Sequence, residues 1–218
     1  IQSFNNFVLK QLKLNKNSKI LDIGCGRGKI IENLSNKLKL INKPVGLDIE
    51  NHKDKSKKII FKKIGAINFI NKTKNTFDLI LIKQTIHLLQ IVQITKLLLI
   101  CKNKLNPGGK IMILSLDPHN NEIPAFSQMD KKLKNSLKRD VKIFNLIVKT
   151  FKNIIVKRFD FKVKILRKEY TKMIKKRYIS TLLNFSDKQI LGGINEINLK
   201  YKKELKFKDR LICLILNK

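Results

Sequence analysis

Acidic side chains are scarce in this chain: 16 Asp and Glu stand against 48 Lys and Arg, a formal net charge of +32 over 218 residues. An imbalance of that size points first to a polyanionic partner, nucleic acid or an anionic membrane surface. Arginine is scarce too, since nearly all of the positive charge is lysine. Specific RNA readers lean on arginine for stacking and bidentate contacts. The lysines run through every segment, and asparagine and isoleucine are abundant beside them, as expected where codons are drawn toward A and T. Cysteine is limited to Cys25, Cys101 and Cys213, odd in number and far apart. That leaves no metal-binding spacing and suits a reduced, cytoplasmic setting. No apolar run approaches the roughly 20 residues that a membrane-spanning helix needs. The first residue is Ile1 rather than methionine, which leaves the native start and any targeting segment open.

With 43% hydrophobic residues, the chain can bury one full core and little more, so residues 1–218 are expected to form a single domain. The organising stretch is Lys19-Ile20-Leu21-Asp22-Ile23-Gly24-Cys25-Gly26-Arg27-Gly28-Lys29. A short apolar run fit for a buried strand passes through three alternate glycines into a helical pattern over 29–40, apolar at Ile30, Ile31, Leu34 and Leu38. Glycine admits positive φ and close approach of the backbone to a ligand, and a helix start presents unpaired N–H groups. A strand, a glycine turn and a helix N-terminus make a nucleotide-binding corner at the carboxyl end of a parallel sheet. The spacing is Gly-x-Gly-x-Gly, and Asp22 stands two residues before the first glycine. A pyrophosphate disfavours a carboxylate there; a cationic ligand favours it.

The rest follows the same alternation. Residues 2–13 predict a short amphipathic helix carrying Phe4, Phe7, Val8 and Leu12. Residues 45–49 predict a second strand closed by Asp48, whose carboxylate is placed to accept both hydroxyls of a ribose. Residues 51–58 hold hardly an apolar anchor, so any helix there is short; a third strand follows over 59–64, and a fourth over 77–82 leads into Lys83 and His87. Residues 88–105 predict a long buried helix stopped by Asn106-Pro107-Gly108-Gly109 before a fifth strand over 110–116. Beyond it, apolar residues at 129, 133, 137, 141, 144, 148 and 151 mark a lysine-faced amphipathic helix. Sixth and seventh strands are expected over 154–166 and 204–216, with helices over 167–183 and from Ser186, where Ser186-x-x-Gln189 forms a capping box. Gly192-Gly193 in the latter predicts bending or fraying.

The acid-glycine turn, Phe77-Asp78-Leu79-Ile80 and Leu105-Asn106-Pro107-Gly108-Gly109 together resemble, in order, the signatures of class I S-adenosylmethionine-dependent methyltransferases. The layout from Glu169 to Asp187 looks like the C-terminal part of trans-aconitate-methyltransferase-like proteins. The resemblance implies an α/β, Rossmann-like three-layer sandwich with a seven-stranded, mostly parallel sheet of order 3-2-1-4-5-7-6. Its helical cap would fall at about 118–151 and 167–200, with the helix pair acting as a lid. It implies S-adenosyl-L-methionine as cofactor, held by Asp22, Gly24, Cys25, Gly26, Asp48, Ile49, Ala66, Ile67 and Lys83, and no metal. Gly65 stands where most of the family has an acid for the adenine amino group. The acceptor would be an oxygen or nitrogen of a small molecule, with His87 and Tyr178 as candidate acceptor-side residues. The Asn/Asp-Pro-Pro-Tyr segment of amino methyltransferases acting on flipped bases is absent, as is the Pro-Cys nucleophile of cytosine C5 enzymes. Two other readings are an RNA methyltransferase that uses the lysines for phosphate contact and a non-catalytic cofactor-binding remnant.

Overall fold

The computed structural model describes residues 1–218. The first half alternates helix and strand: α1 Gln2–Gln11, β1 Ile20–Ile23, α2 Lys29–Leu38, β2 Val45–Asp48, β3 Ile60–Lys63, α3 Ala66–Lys72, β4 Phe77–Lys83 and α4 Ile91–Asn103. The second half comprises β5 Leu105–Leu116, α5 Ser127–Thr150, β6 Ile155–Leu166, α6 Arg167–Lys175, α7 Asp187–Lys200 and β7 Glu204–Asn217. One sheet orders these strands β3-β2-β1-β4-β5-β7-β6, the order the resemblance implied. Neighbours β3/β2, β2/β1, β1/β4 and β4/β5 are all parallel, with Asp22 opposite both Gly46 and Leu81.

β1 is buried along its whole length, and β4 buries every residue except Asp78 and Lys83. The run Leu79–Ile82 in β4 marks a parallel strand covered on both faces, and β1 is buried along its length even with Asp22 among its apolar residues. The chain divides into two compact units. One comprises Ile1–Ser115, Asn145–Phe159 and Ile212–Lys218; the other comprises Leu116–Phe144 and Asp160–Leu211. The core of the first is built on Leu21, Leu79–Ile82 and Ile111–Leu114, packed with Ile31, Leu34, Leu97 and Leu98. That of the second gathers Phe126, Met129, Tyr170, Ile174, Leu182, Ile190 and Ile197.

Several local expectations change. No helix forms between β2 and β3, where polar residues give only turns, and α3 follows β3 with Ile70 as its buried anchor. The helix expected from residue 88 starts at Ile91. Residues 86–88 form a separate 3-10 turn, and the Gln93 side chain accepts the Gln90 N–H at 3.3 Å. The Asn106-Pro107-Gly108-Gly109 segment lies inside β5, not before it. Leu105 pairs with Phe77 and the next partner is Lys110 with Leu79, so the four residues between form a bulge.

Of the expected α5 stripe, Met129, Leu133, Leu137, Phe144 and, just past the helix end, Phe151 are buried, while Val141 is only partly buried and Val148 is half exposed; Asp140, Ile143 and Ile147 are buried beside them. The buried positions 133, 137, 140, 144, 147 and 151 recur every three to four residues, so the core-facing stripe takes Asp140 and Ile147 in place of their neighbours Val141 and Val148. α6 ends at Lys175 because Arg177 takes the left-handed conformation (φ +50°), and residues 180–182 form a 3-10 turn. α7 runs unbroken through its glycines. A Cβ at Gly193 would meet the Phe126 ring at 2.6 Å, so the missing side chain is the space in which that ring packs.

Candidate active site

The glycine turn between β1 and α2 carries Gly24, Gly26 and Gly28 at φ +73°, +53° and +70°. Gly24 N–H and Cys25 N–H both donate to the Leu47 carbonyl, at 2.8 and 2.9 Å, which ties the turn to β2. Asp48, at the end of β2, closes the same knot: its Oδ2 accepts the Gly26 N–H at 2.8 Å and its Oδ1 accepts the Glu50 N–H at 3.0 Å. His52 Nε2 stands 3.8 Å from Asp48 Oδ2. Each carboxylate oxygen has two lone pairs, so acceptor capacity remains on Asp48 for a further hydroxyl.

Asp22 is only 2% exposed, beneath this turn. Burial pushes its carboxyl up to about 7; Lys83 opposes that rise and Asp48 adds to it. Cys25 is held as a thiol, pushed up to about 12 by burial and by the charges of Asp22 and Asp48. Its sulfur fills the space over Gly46, where a Cβ would stand 2.7 Å from Sγ. A cysteine so placed packs the turn and is no nucleophile.

β4 contributes the opposite wall. Lys83 is partly buried, with Nζ 5.7 Å from the centre of the Phe4 ring on α1. Phe4 in turn meets Phe159 edge to face at 5.5 Å. Gln84 follows at φ +55°, its N–H donating to the Leu114 carbonyl at 2.7 Å. Thr85 Oγ1 donates to the Lys83 carbonyl at 3.0 Å. His87 sits partly buried on the 3-10 turn beyond, beside exposed Leu88.

The structure thus brings Asp22, Gly24, Cys25, Gly26 and Asp48 into one bonded or charge-coupled cluster, with Lys83 on the adjoining strand. Ile49 follows Asp48 and is 67% exposed. Ala66 and Ile67 open α3 after β3, and a Cβ at Gly65 would meet nothing within 4 Å. Tyr178 belongs to the second unit, where its hydroxyl lies 3.0 Å from that of Tyr170, and Tyr170 donates to the Pro124 carbonyl at 2.5 Å. Thr85, Gln84 and His52 escaped the sequence reading. Thr85 and Gln84 meet Gly24 and Leu114, far away in the chain, and His52 meets Asp48 four residues before it; none of them belongs to a recognisable spacing. No group of three or more His, Cys, Asp or Glu is placed to hold a metal ion. No helix is long and apolar enough to cross a membrane.

The family model described as a methyltransferase domain matches residues 3–163. No curated protein sequence matches the chain. Among solved structures, a methyltransferase assigned to an antibiotic biosynthesis pathway in Anabaena variabilis is similar over 96% of this chain and 95% of its own, with TM-score 0.69 and 16% identity. An S-adenosylmethionine-dependent methyltransferase from Archaeoglobus fulgidus is similar over 100% and 94%, with TM-score 0.56 and 19% identity. The plantazolicin methyltransferase BpumL, in complex with a desmethyl plantazolicin analogue and S-adenosylhomocysteine, is similar over 99% and 81%, with TM-score 0.55 and 18% identity.

Proposed function

Because the chain belongs to the methyltransferase-domain family of class I S-adenosylmethionine-dependent enzymes, we propose that it methylates an oxygen or nitrogen of a small-molecule acceptor. The observation that carries this reading is the knot of Asp22, Gly24, Gly26 and Asp48: a buried acid beneath a backbone turn held open by positive φ, and a second acid at the end of β2. These residues fit S-adenosyl-L-methionine. Asp48 takes the ribose hydroxyls on its remaining lone pairs, while Gly24, Cys25 and Gly26 allow close approach of the ligand to the main chain. Ile49 offers an exposed apolar face to the adenine, and the backbone of Ala66 and Ile67 reads its edge.

When bound, that cofactor supplies a methyl group already activated on a sulfonium, which leaves the chain mainly the work of positioning. His87, at the carboxyl end of β4, takes up the acceptor's proton where the acceptor carries one. Tyr178 is assigned to the packing of the second unit, since its hydroxyl already has a partner in Tyr170. Residues 1–218 act together as one methyltransferase domain.

Support for a small acceptor comes from the lysine distribution, which runs through every segment and is not massed in one tail. The test is to incubate the protein with methyl-labelled cofactor and a cell extract divided into small-molecule, RNA and protein fractions. Label is expected in the small-molecule fraction. Label in RNA alone would replace this acceptor class with a polynucleotide.

A further inference from the structure

Gln84 to Thr95 is the longest stretch of this chain without an Asp, Glu, Lys or Arg. At 29% charged overall, twelve residues would carry about three or four such side chains. The stretch is not uncharged because it is buried. Leu88 is 61% exposed, Ile91 46% and Val92 77%, all within five residues of the 3-10 turn and the start of α4. Single exposed apolar residues are ordinary on a protein surface, whereas a cluster of them marks a contact site.

The turn holds these side chains outward. Ile86 is buried beneath it, Leu88 N–H donates to the Thr85 carbonyl at 2.9 Å, and Ile94, Leu97 and Leu98 bury the inner face of α4. A helix apolar on both sides is ordinarily covered on both. Thr85, at the head of the turn, packs on Gly24 of the cofactor corner, and His87 lies on the turn itself. The apolar cluster therefore stands at the carboxyl end of β4, where ligands of open α/β sheets bind. A phosphorylated or polynucleotide acceptor would be met there by lysine, which this chain carries almost everywhere else. We infer that Leu88, Ile91 and Val92 seat the uncharged, apolar body of the methyl acceptor. This rests on the methyl-transfer reading above and adds the chemical class of the acceptor. Apolar walls supply the contact area in most small-molecule sites, and a few polar groups fix the orientation.

The test uses the full chain and a neutral apolar fluorophore, N-phenyl-1-naphthylamine, titrated with and without S-adenosylhomocysteine. Wild type is compared with Leu88→Lys/Val92→Lys, which extends the lysine pattern across the cluster, and with Leu199→Lys, which alters an apolar residue 90% exposed on α7. The double variant is expected to bind the fluorophore about tenfold more weakly, with unchanged Tm and with S-adenosylhomocysteine affinity within about twofold. Leu199→Lys should bind it as wild type does. In a second arm, methyl-labelled cofactor and cell extract are incubated with the protein and partitioned between octanol and neutral buffer. Labelled product is expected in the octanol, while unused cofactor stays in the buffer. Equal fluorophore affinity in wild type and the double variant would overturn the inference, as would an equal loss in Leu199→Lys or labelled product confined to the buffer. Sedimentation with phosphatidylcholine vesicles that the double variant abolishes would give the cluster to a membrane surface and overturn it too. Failure of wild type to bind S-adenosylhomocysteine would overturn the cofactor reading instead, and the fluorophore titration without ligand would still report on the cluster.

Discussion

Thr85 lies directly against the α-carbon of Gly24: a Cβ built on that glycine would stand 2.1 Å from Thr85 Oγ1. The turn after β4 and the turn after β1 are thus packed without room for one methyl group. Thr85 cannot readily yield, because its hydroxyl is bonded to the Lys83 carbonyl. The contact fixes the spacing of the two strand ends between which the cofactor is proposed to bind.

Gly24→Ala should therefore fail on two counts. The left-handed conformation at φ +73° costs an L-residue about 1–2 kcal/mol, and the added methyl drives Thr85 away. Thermal unfolding should show a lower Tm, and S-adenosylhomocysteine binding should be lost. Adding Thr85→Gly is expected to return part of the stability but not the whole, since the backbone strain persists. Full recovery in the double variant would show that the clash alone mattered.

Asp48→Ala is expected to weaken S-adenosylhomocysteine at least tenfold, about 1.4 kcal/mol. Alanine also frees the Gly26 and Glu50 N–H groups that the carboxylate holds. Asp48→Asn keeps an acceptor oxygen for one of them and should lose less. Equal affinity in wild type and Asp48→Ala, measured by calorimetry, would remove this residue from the ribose site.

Gly65 is the N-cap of α3 with no side-chain bond, and a side chain there meets open space. Gly65→Asp should add a cap to α3 and supply a carboxylate for the adenine amino group. The expected gain in S-adenosylhomocysteine affinity is about tenfold, within the range for a hydrogen bond to a charged group. An unchanged dissociation constant would place the adenine away from residue 65.

Asp22 makes stability depend on pH. Its carboxyl is pushed up to about 7 by burial, so between about pH 4 and pH 7 the folded chain holds a proton that the unfolded chain has lost. Stability therefore falls as pH rises through that window. Asp22→Asn removes the dependence. In the absence of ligand the variant should match wild type near pH 4 and exceed it above pH 7, by no more than about 4 kcal/mol. Denaturant unfolding at the two pH values tests this, and a variant less stable than wild type at pH 8 would contradict it.

Tyr178→Phe removes one hydroxyl from the pair it forms with Tyr170 and leaves the bond from Tyr170 to the Pro124 carbonyl in place. Loss of one such hydrogen bond amounts to about 1 kcal/mol. The expected result is a Tm lower by a few degrees with kcat within twofold of wild type. A tenfold fall in kcat at unchanged Tm would instead move this hydroxyl to the acceptor.

The amino-acid sequence by itself determined the parts whose physics is local. Three glycines at alternate positions can meet the φ values of the turn between β1 and α2, and the apolar run 79–82, like Ile20, Leu21 and Ile23 around Asp22, fits buried parallel strands. Asp22 and Asp48 were legible for the same reason, since each stands at a fixed offset from such a feature. The capping box at Ser186 and Gln189 likewise needs only four consecutive residues, and both of its bonds are present.

Tertiary structure decided the rest, through contacts whose partners are distant in the chain. Pro107 and its glycines read as a helix stop, yet the pairing of Leu105 with Phe77 draws them into β5 as a bulge. Gly192 and Gly193 read as a weak point in α7 until the Phe126 ring fills the space beside the second of them. On α5 the core takes Asp140 where the apolar pattern offered Val141, although Leu137 and Phe144 on either side are buried as the pattern predicts. The opposition of Thr85 to Gly24 and the bond from Gly26 to Asp48 are of the same kind. Propensity and periodicity act over a few residues, whereas these contacts exist only once the sheet has set β2 and β4 on either side of β1.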